Sequence, residues 1–166
     1  ENEHGKHLWK PFSRGVNVYD IERHLYKNRI GNKLIFEEIN HDLRLVFSYM
    51  WSNSDQFGFV RKSCLQNTGD QTRKVSVLDG MRNLLPAGVT SLLQTRLSTL
   101  VDAYKQAESL PSSTSALYTM SSLLTDKAEP SEALKTTIVW STGLEDPEIL
   151  LSETQVKSFC AGESVR

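Results

Sequence analysis

Glu37 and Glu38 are adjacent carboxylates, and paired carboxylates are the groups that cleave glycosidic bonds by acid–base chemistry. Neighbours on a strand point to opposite faces, so this spacing does not aim both at one bond. If that strand is covered on both sides, one of the two is partly buried and needs a cation, for which Arg61 and Arg73 are the expected partners. His41 with Glu37 or Glu38 is the only local pair of the kind a sugar epimerase needs, a histidine acid and a glutamate base facing one pocket. His4 and His7 have chelating spacing on a helix, but Gly5 lies between them in a polar end segment, which reads as a solvated tail. His24 falls in an expected loop and His41 in an expected turn, without Cys, Asp or Glu in metal-ligand spacing. Neither Cys64 nor Cys160 accompanies a nucleophile signature, and Gly58, Gly69, Gly80 and Gly88 form no phosphate-cradling pattern. These residues point to no catalytic, cofactor-binding or metal-binding set.

The aromatic residues offer a different chemistry. Trp51 and Trp140 end alternating strands, with Tyr49, Phe57 and Phe59 close by in sequence. Aromatic faces stack on sugar rings, so Trp51, Trp140 and Tyr49 are the candidate carbohydrate-binding residues. The competing reading is that they fill a core, because aromatic side chains dominate core burial. The sequence leaves both open.

The elements that must position these residues are mostly strands. In Asp42–Trp51 the residues Leu43, Leu45, Phe47, Tyr49 and Trp51 share one face, and Val46 and Met50 make the other partly apolar. Lys33–Ile39, Phe57–Leu65 and Thr72–Leu78 alternate similarly, and polar turns rich in Asn, Asp, Ser and Gly separate the four runs. Short turns require antiparallel pairing, so we expect a four-stranded meander. Over Ser91–Glu108 the period becomes helical, with Leu93, Leu97, Leu100, Val101 and Tyr104 on one stripe, Thr90 or Ser91 as cap and Pro111 beyond the end. Ala116–Thr125 and Leu134–Ser141 read as two further strands, separated by an acidic stretch with Pro130. Ser152-Glu153-Thr154-Gln155 has capping-box spacing, and Gly162 is placed to close a short helix. The expected fold is a mostly-β antiparallel sandwich with one substantial amphipathic helix at about 91–108.

Composition bounds what such a fold can be used for. The chain has 166 residues, 39% hydrophobic and 23% charged, which excludes a disordered chain, a collagen and a small disulfide scaffold. Nineteen basic residues against twenty acidic ones leave a formal charge of −1, no footprint for nucleic acid or an anionic membrane. No apolar run approaches a membrane span. Two cysteines are too few for a disulfide framework, and whether Cys64 and Cys160 pair stays open. We expect one sandwich domain over residues 1–166, with 1–8 as a flexible tail, cut from a longer protein.

A family resemblance adds to this. It begins in Arg23-His24-Leu25-Tyr26-Lys27-Asn28 and Gly31–Glu38, continues in Trp51–Arg61 and Leu65-Gln66-Asn67-Thr68, and ends in Val77–Pro86. This order of strand edges resembles the N-terminal β-sandwich of cellobiose-phosphorylase-like proteins and their bacterial relatives, over about residues 23–86. The resemblance implies a galactose-mutarotase-like supersandwich preceding a helical linker and an (α/α)-barrel that carries the catalytic acid. The sequence lacks any barrel segment onto which catalytic residues would map, and the helix after so few strands departs from the family pattern. The implied function is a non-catalytic domain of a glycoside phosphorylase or hydrolase, packing against its catalytic domain and shaping the sugar site. The implied partners are the remaining domains of that parent chain, an oligosaccharide, and a second copy through the sandwich. The compartment stays open, a bacterial cytoplasm or periplasm being the expectation. An independent carbohydrate-binding module using the strand-borne aromatics is the alternative.

Overall fold

The computed structural model describes residues 7–14, 18–122 and 134–165. The chain groups into two compact units, Glu1–Asp79 and Gly80–Arg166. It is mostly β, with one antiparallel four-stranded sheet and one antiparallel three-stranded sheet.

In the first unit β1 (Ile21–Lys27), β2 (Lys33–Asn40), β3 (Leu45–Ser54) and β4 (Gly58–Asn67) form a meander in chain order. Its turns are built by short polar side chains. Asn28 Oδ1 accepts from the backbone N–H of Gly31 and of Lys33, both at 3.0 Å, and Gly31 takes φ +83 between them. Asn40 Oδ1 accepts from Leu43 N at 2.9 Å, and Ser54 Oγ accepts from Gln56 N and Phe57 N.

β2, β3 and β4 are the three runs whose alternation predicts strands, with ends displaced by a few residues. The fourth strand is a correction. Thr72–Leu78 joins no ladder, and its apolar residues Val75 and Val77 stand 48% and 45% exposed, so their alternation is not backed by burial. The place beside β2 goes to Ile21–Lys27, which puts His24 on a strand rather than in a loop. Of the expected tail 1–8, residues 1–6, and His4 with them, lie outside the described residues, and the Leu8 carbonyl accepts from the Tyr19 hydroxyl at 3.2 Å.

In the second unit α1 (Ser91–Arg96) and α2 (Ser98–Tyr104) are followed by β5 (Lys105–Ser109), β6 (Ser115–Met120), β7 (Thr136–Trp140) and α3 (Glu153–Ala161). The single helix expected at 91–108 is corrected at two points. Thr90 caps α1, accepting from Leu93 N at 3.1 Å, but the helical path breaks at Leu97, whose φ of −126° and ψ of 37° are not helical. Lys105–Ser109 leaves the helix to pair with β6, from Lys105↔Met120 to Ser109↔Ala116. Cross-strand pairing outweighs the local helix preference there. Of the expected apolar stripe only Val101 is buried, while Leu97, Leu100 and Tyr104 are exposed.

β7 falls within the run Leu134–Ser141 predicted as a strand, and β6 overlaps the run Ala116–Thr125 but begins one residue earlier, at Ser115; residues 123–133, the end of that run and the stretch with Pro130, lie outside the described residues. α3 has the capping box its sequence announces, and Gly162 closes it at φ +77. Among the described residues no helix is long and apolar enough to cross a membrane.

Candidate functional site

Register decides which side chains meet on the first sheet. Arg23, Glu38, Phe47 and Leu65 form one cross-strand row, Leu25, Phe36, Tyr49 and Ser63 the next, and Lys27, Leu34, Trp51 and Arg61 a third. All twelve project from the same face, because residues two apart on a strand share a side.

Glu38, on an inner strand of that face, is only 1% exposed. A carboxylate so buried needs charge-assisted partners. It has them: Trp9 Nε1 donates to Oε1 at 2.7 Å, and Phe12 N and Arg23 Nε donate to Oε2, each at 2.7 Å. The cation is Arg23, directly opposite on β1, instead of the expected Arg61 or Arg73.

Phe12, brought over the sheet with the same segment, lays its ring against Phe36, Phe47 and Tyr49, closest to Tyr49 at 5.2 Å between centroids. Its backbone sits at φ +62, a conformation costing a non-glycine residue about 1–3 kcal/mol. The cluster and the buried carboxylate are thus held by one short stretch of chain.

Tyr49 is stacked on Phe36 at 4.9 Å with an interplanar angle of 16°. From the β4 side the Arg61 guanidinium lies over the same ring, 4.4 Å from its centroid. Arg61 Nη1 also pairs with Asp79 Oδ2 at 2.5 Å. Tyr49 is therefore engaged with protein side chains from both neighbouring strands. Trp51, one row on and half-buried, stands directly between Leu34 and Arg61.

The opposite face carries the histidines. His24 Nε2 is 3.1 Å from Glu22 Oε1, and His41 Nε2 is 3.4 Å from Glu22 Oε2. Tyr26 packs on His24 at 5.8 Å, and its hydroxyl donates to Glu37 Oε1 at 3.2 Å. Desolvation, then the Glu37 hydrogen bond, raises the Tyr26 pKa. His41 thus meets Glu22 rather than Glu37 or Glu38, so the acid–base pair considered from the sequence is not assembled. Among the described residues no group of three or more His, Cys, Asp and Glu is arranged to hold a metal ion. Cys64 and Cys160 are both free thiols.

In the second unit Trp140 ends β7, 47% exposed, with Ile138 two residues back on the same face at 52%. Leu117 on β6 pairs with Ile138, and Ser115 pairs with Trp140. Together they give that sheet an apolar strip edged by Ser115, Thr119 and Thr136. A shallow hollow of about 320 Å³ lies elsewhere, against Tyr19, Asp20, Ile21 and Arg23 in the first unit. None of the three candidate aromatics lines it.

Sequence reasoning did not find Arg23, Trp9 and Phe12 as partners of Glu38. The signal was faint: Ile21-Glu22-Arg23-His24-Leu25-Tyr26-Lys27 alternates, but charge on both faces hides the apolar one. Comparison with models of known protein families and with curated proteins finds no match to the chain.

Proposed function

We propose that this chain is a non-catalytic part of a larger carbohydrate-active protein, a glycoside phosphorylase or hydrolase, folded as a galactose-mutarotase-like sandwich and packed against a catalytic domain whose sugar site it helps to shape. The carrying observation is the apolar surface left uncovered. Among the described residues only Leu45, Val101, Ala116 and Met120 are buried hydrophobics, whereas Ile30, Phe59 and Leu25 stand 85%, 76% and 62% exposed. A free-standing chain of this size hides roughly 70% of its unfolded surface. Uncovered apolar residues on this scale suit a surface completed by another domain. The carboxylates support a structural role as well, since Glu38 anchors the N-terminal segment and Glu37 holds Tyr26. The link to carbohydrate rests on the strand-edge resemblance over residues 23–86.

The half-exposed Trp140 beside Ile138 favours the second reading, a glycan-binding module. Calorimetric titration with gluco-oligosaccharides and their 1-phosphates separates the two, with Trp51→Ala and Trp140→Ala as controls. The domain reading expects no saturable heat from the chain alone, and a raised Tm when the parent's catalytic portion is added. Saturable heat lost in one tryptophan variant, without stabilisation by the catalytic portion, overturns it in favour of the binding module.

A further inference from the structure

Residues 8–14 lie over the aromatic face of the first sheet without joining its ladder. The segment's backbone is bonded to itself, Ser13 N to Lys10 O at 3.2 Å. Its ties to the rest of the unit run through side chains. Trp9 Nε1 and Phe12 N end on the Glu38 carboxylate, Arg23 Nη2 donates to Ser13 O at 3.2 Å, and the Tyr19 hydroxyl donates to Leu8 O. β1 to β4 need none of these bonds to remain paired with one another.

We propose that residues 8–14 form a strap latched by Glu38, which opens and closes over Phe36, Phe47 and Tyr49 while the four-stranded sheet stays intact. Three features make opening a separate event from unfolding. Arg23 Nε holds Glu38 Oε2 from β1 itself, so the carboxylate keeps a cation when the strap lifts. Phe12 leaves its φ of +62 on opening, which relieves backbone strain and offsets part of the lost contact. The ladder beneath is fastened by backbone bonds that the strap does not share, and segments fastened in this way open below the global free energy. Glu38 is then a positioning residue: it fixes where the strap lies and thereby whether the aromatic cluster is covered.

Amide hydrogen exchange on the full chain, resolved residue by residue, tests this. The Phe12 amide, bonded to Glu38, is expected to exchange on the order of 100-fold faster than the amides of β3, the central strand. Glu38→Gln removes the charge and accelerates Phe12 exchange about 10-fold further, with β3 exchange unchanged. Trp9→Phe, which removes only the indole donor, gives a smaller acceleration at the same β3 rate and decides the matter if Glu38→Gln does not fold. Equal rates for Phe12 and β3, or variants that accelerate both alike, make the segment an integral part of the unit and overturn the proposal.

Discussion

The ion pair between Arg61 and Asp79 carries a quantitative prediction because its surroundings bound its strength from both sides. The Arg61 side chain is 13% exposed and that of Asp79 25%, with Nη1 to Oδ2 at 2.5 Å. Exposed pairs contribute about 0–1 kcal/mol, while removing one partner of a buried pair costs about 3–5 kcal/mol. This pair lies between those limits, so a double-mutant cycle should give a coupling of about 1–2 kcal/mol. Arg61 has a second tie, the Tyr49 ring 4.4 Å away, and a cation over an aromatic face adds about 0.5–2 kcal/mol. Arg61→Ala should therefore cost more than the pair coupling alone. Arg61→Lys should fall between Arg61→Ala and the unaltered chain, since an ammonium keeps the charge but loses the planar stack. Urea unfolding read from backbone signals of β1–β4 is the right assay, because two compact units need not unfold in one transition. A coupling below about 0.3 kcal/mol, the scatter of additive sites, would refute the argument. It would mean that the Asp70–Asp79 stretch, which has no ladder to hold it, is not fixed by this pair.

Two further outcomes follow from local chemistry in the second unit. Ser152→Ala removes the side-chain acceptor for Gln155 N and should cost about 1 kcal/mol, seen as faster amide exchange confined to α3. Burial raises the Tyr118 pKa, so the fold favours the neutral phenol. That contribution is fully present below the unfolded tyrosine value of about 10 and is lost as pH rises through the higher folded value. An alkaline titration of stability should steepen in that window, and Tyr118→Phe should flatten it.

Strands whose apolar residues alternate cleanly onto a covered face were readable: β2 and β3 are there because Leu34, Phe36, Leu45, Phe47 and Tyr49 share one face, with Leu45 buried and the other four half-buried. Thr72–Leu78 shows the opposite case, since alternation of Val75 and Val77 says nothing about whether an edge is free to pair with them. The helix fails for a related reason. Lys105-Gln106-Ala107-Glu108 is a good helical sequence, yet it lies in reach of β6 across a short loop, and that pairing is invisible to any local window. α3 was legible because its cap and stop are written within a few residues of each other.

The site is harder to read than the fold because its chemistry is assembled across strands. Alternation correctly separates Glu37 from Glu38, and it says that one of them turns inward. Which cation meets the inward one depends on register, and register depends on recognising β1. Once Ile21–Lys27 is placed beside β2, Arg23 faces Glu38, and the buried carboxylate stops looking like a catalytic residue. Its remaining oxygen positions are then free to take Trp9 and Phe12, which is why an unremarkable segment near the start of the chain becomes the cover of the aromatic cluster. Three donors at 2.7 Å commit most of the acceptor sites of this carboxylate to the protein's own groups, so the same geometry that makes the segment a strap argues for a structural use of Glu38.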